Sequence, residues 1–153
     1  GNFDGSILNT PYHVGWRVKY EPGEVKGVAK KDGKVVRETV EKTAGTAHHI
    51  RLTPDKKEMK ADGTSMVFVT VEVVDNDGTL CPLAEDQIFF EVEGGAKIAG
   101  VDNGSQSSLE RFKDNKRKAL FGRCLVVLQS DGTGKPVTLT AKSAMLKEAT
   151  VKL

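Results

Sequence analysis

Met66-Val67-Phe68-Val69-Thr70-Val71-Glu72-Val73-Val74-Asp75 places a valine at every second position from Val67 to Val73. Side chains alternate between the two faces of a strand, so these four valines share one face while Thr70 and Glu72 occupy the other. The stretch predicts the central strand of a β-sandwich, buried on its valine side. It predicts a fold and no reaction.

The flanking sequence repeats the pattern at short intervals. Downstream, Ile88, Phe90 and Val92 alternate with polar neighbours, Gly94-Gly95 turns into Ala96–Val101, and Asp102-Asn103-Gly104-Ser105 starts a polar loop reaching Asn115. Cys124–Leu128 is apolar on both parities, as a central strand requires. Val137, Leu139 and Ala141, then Ala149, Val151 and Leu153, give two more alternating runs, separated from the preceding run by the Asp131–Pro136 turn. Upstream, Ile50 and Leu52 alternate as far as Pro54, and Met59–Ala61 is expected as a short strand before Asp62-Gly63. About seven short strands with turns every ~8 to 12 residues indicate an immunoglobulin-like sandwich. No helix of more than a turn or two is indicated.

Residues 1–11 are polar and carry little period, so a loop or frayed end is expected. Val14, Trp16, Val18 and Tyr20 alternate with polar or small residues, and Glu21-Pro22-Gly23-Glu24 has the residues of a turn. Two strands, Val25–Lys30 and Val35–Glu41, flank Asp32-Gly33, a type I′ hairpin signal. The expected three-stranded meander of roughly forty residues is shorter than the ~50 to 60 that bury an independent core. It must therefore lean on another module or be the tail of one. Its open sheet edge makes pairing with a second copy an expected partner interaction. Thr43–Ala47 reads as a linker. The fold class is all-β: residues 1–45 are the truncated end of a preceding β-sandwich module, and residues 46–153 an immunoglobulin-like β-sandwich domain.

Composition excludes several partners. The net charge is only +2, and the one basic cluster, Lys113–Lys118, lacks interleaved aromatics, so a solvated hairpin tip is expected and no nucleic acid. No apolar run approaches the ~18 to 20 residues of a membrane span, and the first residues carry no signal-peptide pattern. A chain beginning at Gly1 is expected to continue upstream in its natural form. Cys81 and Cys124 permit one disulfide, but their turn and apolar-strand settings favour free thiols.

No catalytic constellation is legible. His13, His48 and His49 sit in no nucleophile motif, and adjacent histidines in a strand point to opposite faces, so His48 and His49 are not expected to chelate one ion. Asp75-Asn76-Asp77-Gly78 resembles the start of a calcium loop, but its sixth and twelfth positions are Leu80 and Asp86 instead of Gly and Glu, which leaves a turn. Glu91 and Glu93 share a solvent-facing parity, and Glu21 and Glu24 bracket a turn, so neither is expected to be a glycosidase acid pair. No catalytic, cofactor-binding or metal-ligating residue is assigned, and no cofactor is expected. Trp16, Tyr20 and Tyr12 are the candidates for a sugar platform, but Trp16 and Tyr20 share the Val14/Val18 face and suit core or interdomain packing first. Phe89, on the polar parity of its strand, marks a further contact with a neighbouring domain or a carbohydrate.

A series of stretches resembles the C-terminal, non-catalytic modules of bacterial β-galactosidases of glycoside hydrolase family 2. It comprises Tyr20–Glu24, Lys31–Lys34, Thr43–Gly45, Ile50–Asp55, Ala61–Gly63, Phe68–Asp75 and Ile98–Gly104, in that order. Lys30, where such sequences often carry an aromatic residue, and the loosely similar Leu109–Lys118 loop depart from the pattern. The resemblance implies an accessory region whose parent hydrolyses glycosidic bonds with acids in an upstream barrel, and whose partners are the parent's other domains. The alternative is a carbohydrate-binding or surface-adhesion module, since a sandwich fold does not fix function.

Overall fold

A computed structural model describes residues 8–10, 13–15 and 19–153. The chain divides into two compact units, Gly1–Thr43 and Ala44–Leu153.

In the first unit, β1 (Leu8–Thr10) pairs antiparallel with β2 (His13–Gly15), and β3 (Glu24–Lys31) with β4 (Lys34–Lys42). The hairpin turn is as expected: Asp32 and Gly33 both have positive φ, 51° and 76°, as a type I′ turn demands. Two expectations fail. Part of the predicted N-terminal loop is a strand, and the meander is two separate two-stranded pieces among the described residues. Leu8–Thr10 is only three residues long, too short to show an apolar period, and its ladder forms by backbone pairing. Val25, Val35 and Val36 of the hairpin are exposed.

The second unit contains two four-stranded antiparallel sheets. One has the order β5 (His49–Pro54), β6 (Met66–Val74), β10 (Arg123–Ser130), β8 (Ala96–Asp102). The other runs β12 (Ala149–Lys152), β11 (Thr138–Lys142), β7 (Gln87–Glu93), β9 (Lys116–Lys118). These orders are the ABED and GFC sheets of an immunoglobulin-like sandwich, with β9 as an added edge strand. Strand β6 is central, and Val67, Val69, Val71 and Val73 are buried together as the alternation requires. They face Ile88 and Phe90 of β7 and Leu139 and Ala141 of β11 within one core that also takes Val126 and Leu128 from β10 and Val101 from β8. Val74, on the other parity, is buried as well, because the chain folds back over it in an antiparallel bridge from Leu80. The chain changes sheet between β7 and β8 at Gly94, whose φ is +94° and where a Cβ would run into the Pro136 carbonyl. Only glycine meets both demands.

Two further expectations are corrected here. Met59–Ala61 forms no strand: the Asp62 carboxylate accepts the Thr64 and Ser65 amides in a local turn, and Met59 packs against the core. Nor is Lys113–Lys118 a hairpin tip. Its last three residues are β9, paired with β7 through Ile88↔Arg117, and Arg117 is fully buried.

Candidate functional site

The predicted contact residues belong to both units. Trp16 and Tyr12 lie outside the described residues. Tyr20, in the first unit, is 73% exposed. Phe89, in the second, is 43% exposed on the outer face of β7, between Lys116 and Lys142 on the neighbouring strands.

Two shallow clefts indent the second unit. One, of about 360 Å3, is lined by Glu58, Met59, Ser130, Lys135 and Leu153 among others, and Glu58 is its one side-chain carboxylate. The other, of about 400 Å3, runs past Gly45, Cys81, Leu83, Glu85 and Asp86. Its two carboxylates are sequence neighbours, and Glu85 is held by Lys118 at 2.6 Å. Neither lining includes a histidine. Elsewhere, Glu91 is paired with Lys142 at 2.6 Å and Glu24 with Lys42 at 3.4 Å.

The polar groups that the fold does bring together are occupied by one another. Glu72, directly opposite both Arg51 and Arg123 in register, takes Arg51 Nη2 at 2.7 Å and Arg123 Nε at 3.1 Å. Burial pushes its carboxyl up, and the two guanidinium groups outweigh that and hold it below the usual range. Asp75 Oδ2 accepts the Gly45 amide at 2.8 Å, and Oδ1 accepts those of Asp77 at 3.0 Å and Thr79 at 2.8 Å. The Gly45 amide is the main cause of a lowered carboxyl pKa there. This arrangement is a turn with its oxygens already filled, and it ties the predicted linker to the sandwich.

Arg117 is the feature that sequence reasoning missed. Its Nη2 reaches Asn103 Oδ1 at 2.8 Å and Asp102 Oδ1 at 3.3 Å, and its Nη1 donates to the Glu110 carbonyl at 3.3 Å. Its Nε is buried without a hydrogen bond, 3.6 Å from Glu110 Oε2, and the guanidinium lies 5.3 Å from the centre of the Phe112 ring. One buried cation thus gathers the loop between β8 and β9. The available signal was the single arginine at the middle, inward position of Lys116-Arg117-Lys118. Its reading was masked by the surrounding charge.

The two histidines also depart from expectation. His48 precedes β5 instead of lying within it, so strand alternation does not separate the rings. Their Nδ1 atoms are 3.1 Å apart, with the rings nearly perpendicular at 85°. Cys81 and Cys124 are free and buried.

Large apolar residues stand exposed on four separate loops of the second unit: Leu83, Leu109, Phe121 and Met145, with Leu109 99% exposed. None of them stands in an alternating run that would have set its exposure.

Comparison with known proteins identifies the family of the second unit. The model of glycoside hydrolase family 2 C-terminal domain 5 matches residues 50–152, and a domain of unknown function, DUF4982, matches residues 5–37. The beta-galactosidase BoGH2A of Bacteroides ovatus is 54% identical over 92% of this chain, which covers 17% of that protein. A glycosyl hydrolase family 2 member from Bacteroides cellulosilyticus superposes with a TM-score of 0.85 at 36% identity, over 90% of this chain and 19% of that one. A beta-glycosidase from Bacteroides vulgatus gives a TM-score of 0.86 at 26% identity, over 97% and 20%. The chain spans about a fifth or less of the length of these proteins. Its second unit carries the matched family's sequence over nearly its whole extent, and the chain belongs to the glycoside hydrolase family 2 C-terminal domain 5 family.

Proposed function

We propose that this chain is a non-catalytic accessory region of a β-galactosidase-like glycoside hydrolase, inactive alone and serving to buttress or extend the enzyme that carries it. The observation that supports this most is the pairing of 54% identity to a beta-galactosidase with coverage of only 17% of that protein. A relative described as a putative beta-glucuronidase, from Formosa agariphila, is 28% identical over 75% of this chain. On our reading the module is shared among enzymes with different sugars and does not choose the substrate. Incubation of the purified chain with chromogenic galactosides should give no turnover above buffer. Turnover that copurifies with the chain would refute the proposal.

Residues 1–45 then represent the end of a neighbouring module, a reading supported by the separate family match over residues 5–37 and by the exposed valines of the β3–β4 hairpin. Concentration-dependent sedimentation is the expected behaviour of such a segment without its natural neighbours. A strict monomer at high concentration would count against it.

A further inference from the structure

We propose that His48 and His49 form a two-histidine chelating site for a borderline divalent transition-metal ion of the Cu2+, Ni2+ or Zn2+ class. The site stands independently of the glycosidase reading. Two imidazole nitrogens 3.1 Å apart cannot both present lone pairs to each other, so either one ring holds its proton on Nδ1 and donates it to the other or a cation bridges the two. With metal–imidazole bonds of ~2.05 Å, nitrogens at that separation subtend about 98° at the metal, between square-planar and tetrahedral angles. The crossed rings, with centroids 5.4 Å apart, keep the imidazoles from stacking face to face across the ion.

The backbone holds this geometry in place before any ion arrives. The His48 amide donates to the Val74 carbonyl at 2.9 Å, and its carbonyl accepts the Lys147 amide at 2.9 Å. His49 opens β5 opposite Val74 and is bridged in parallel to Lys147. The next residue, Ile50, is buried and donates to the Lys147 carbonyl at 3.0 Å. Both histidine Cα atoms are therefore fixed between two neighbouring segments, and only ring rotations remain to be lost on binding. His48 is exposed and His49 half-buried, which leaves the pair open to solvent. Among the described residues no third His, Cys, Asp or Glu completes a cluster, so water fills the remaining positions. Such a site takes imidazole-seeking ions in the order Cu2+ above Ni2+ and Zn2+, and not Ca2+ or Mg2+, which require oxygen ligands.

The test is titration of the 153-residue chain with Cu2+ alone, by calorimetry and electron paramagnetic resonance. Parallel titrations use His48→Gln, His49→Gln and, as a control for the third histidine, His13→Gln. Far-UV circular dichroism checks that each variant keeps the fold. The expected result is one ion per chain with hyperfine splitting from two nitrogens. Each of the first two variants should lower affinity by more than the roughly 10-fold that loss of an outer-shell partner costs, while His13→Gln leaves it unchanged. Affinity insensitive to either His48→Gln or His49→Gln, a one-nitrogen spectrum, or no saturable binding would overturn the proposal.

Discussion

Replacing Arg117 with alanine tests whether one side chain holds the loop between β8 and β9. The guanidinium is fully buried, while its carboxylate partners Asp102 and Glu110 are 47% and 29% exposed. Removing one member of a buried ion pair costs about 3 to 5 kcal/mol, and solvent screening of the two acids places this case at the low end. We expect a loss of ~3 kcal/mol, including the packing of the arginine stem. At 4 °C or more per kcal/mol for a unit of this size, the melting temperature should fall by roughly 12 °C or more. Arg117→Met, which keeps an apolar chain of similar reach, should cost about 1 to 2 kcal/mol, because the two acids can turn to water. Urea melts followed by far-UV circular dichroism measure the loss. Amide hydrogen exchange localises it, since the Val101 amide donates to the Phe112 carbonyl and the Phe90 amide to that of Asn115, both at 2.7 Å. Faster exchange at Val101 and Phe90, beyond the change at the β6 valines, is the signature of a released loop. Unchanged protection at these two amides with a loss below about 1 kcal/mol would refute the reasoning, since that is the range of a surface pair.

Gly94→Ala should destabilise the second unit by about 2 kcal/mol or more, through positive φ and collision with the Pro136 carbonyl; a urea midpoint equal to wild type would contradict this. Glu72 has a folded pKa below its unfolded one, so its contribution is complete above the usual carboxylate range of ~4 and disappears as pH falls through the lower, folded value. Acid melts of Glu72→Gln should accordingly show a shallower decline than wild type below pH ~4, and parallel curves would speak against it. Burial pushes the Cys124 thiol up to about 12 and raises that of Cys81, so neither should react with a thiol reagent at pH 8 until urea is added. Prompt labelling of the native chain would show that the core opens.

The sandwich was legible in the sequence because its strands are half-buried: Val67 to Val73 and Ile88 to Val92 keep strict period two, and their turns contain the residues that such turns require. The errors arose where period and burial part company. Leu8–Thr10 is a strand too short to show a period, and Met59 reaches the core from an irregular segment. Arg117 occupies an inward position that charge alone marks as outward. The histidine geometry was hidden for a different reason. Whether adjacent rings diverge or meet depends on where a strand begins, and His48 stands one residue before β5. The apolar loop residues Leu83, Leu109, Phe121 and Met145 had no periodicity to announce them.

The Arg51–Glu72–Arg123 triplet carries a consequence for how the chain finds its fold. Strand β6 must pair with β5 shortly before it and with β10, 51 residues further along between Glu72 and Arg123, so the search for partners is long-range and slow. Four valines spaced by two would fit the core equally well after a slip of two residues, which leaves the same face inward. Such a slip separates Glu72 from the arginine opposite it. The triplet lies directly across three adjacent strands and thus distinguishes the correct pairing from near-equivalent ones. Loss of these two ion pairs therefore counts against the slipped registry, in addition to what the triplet contributes to the folded state.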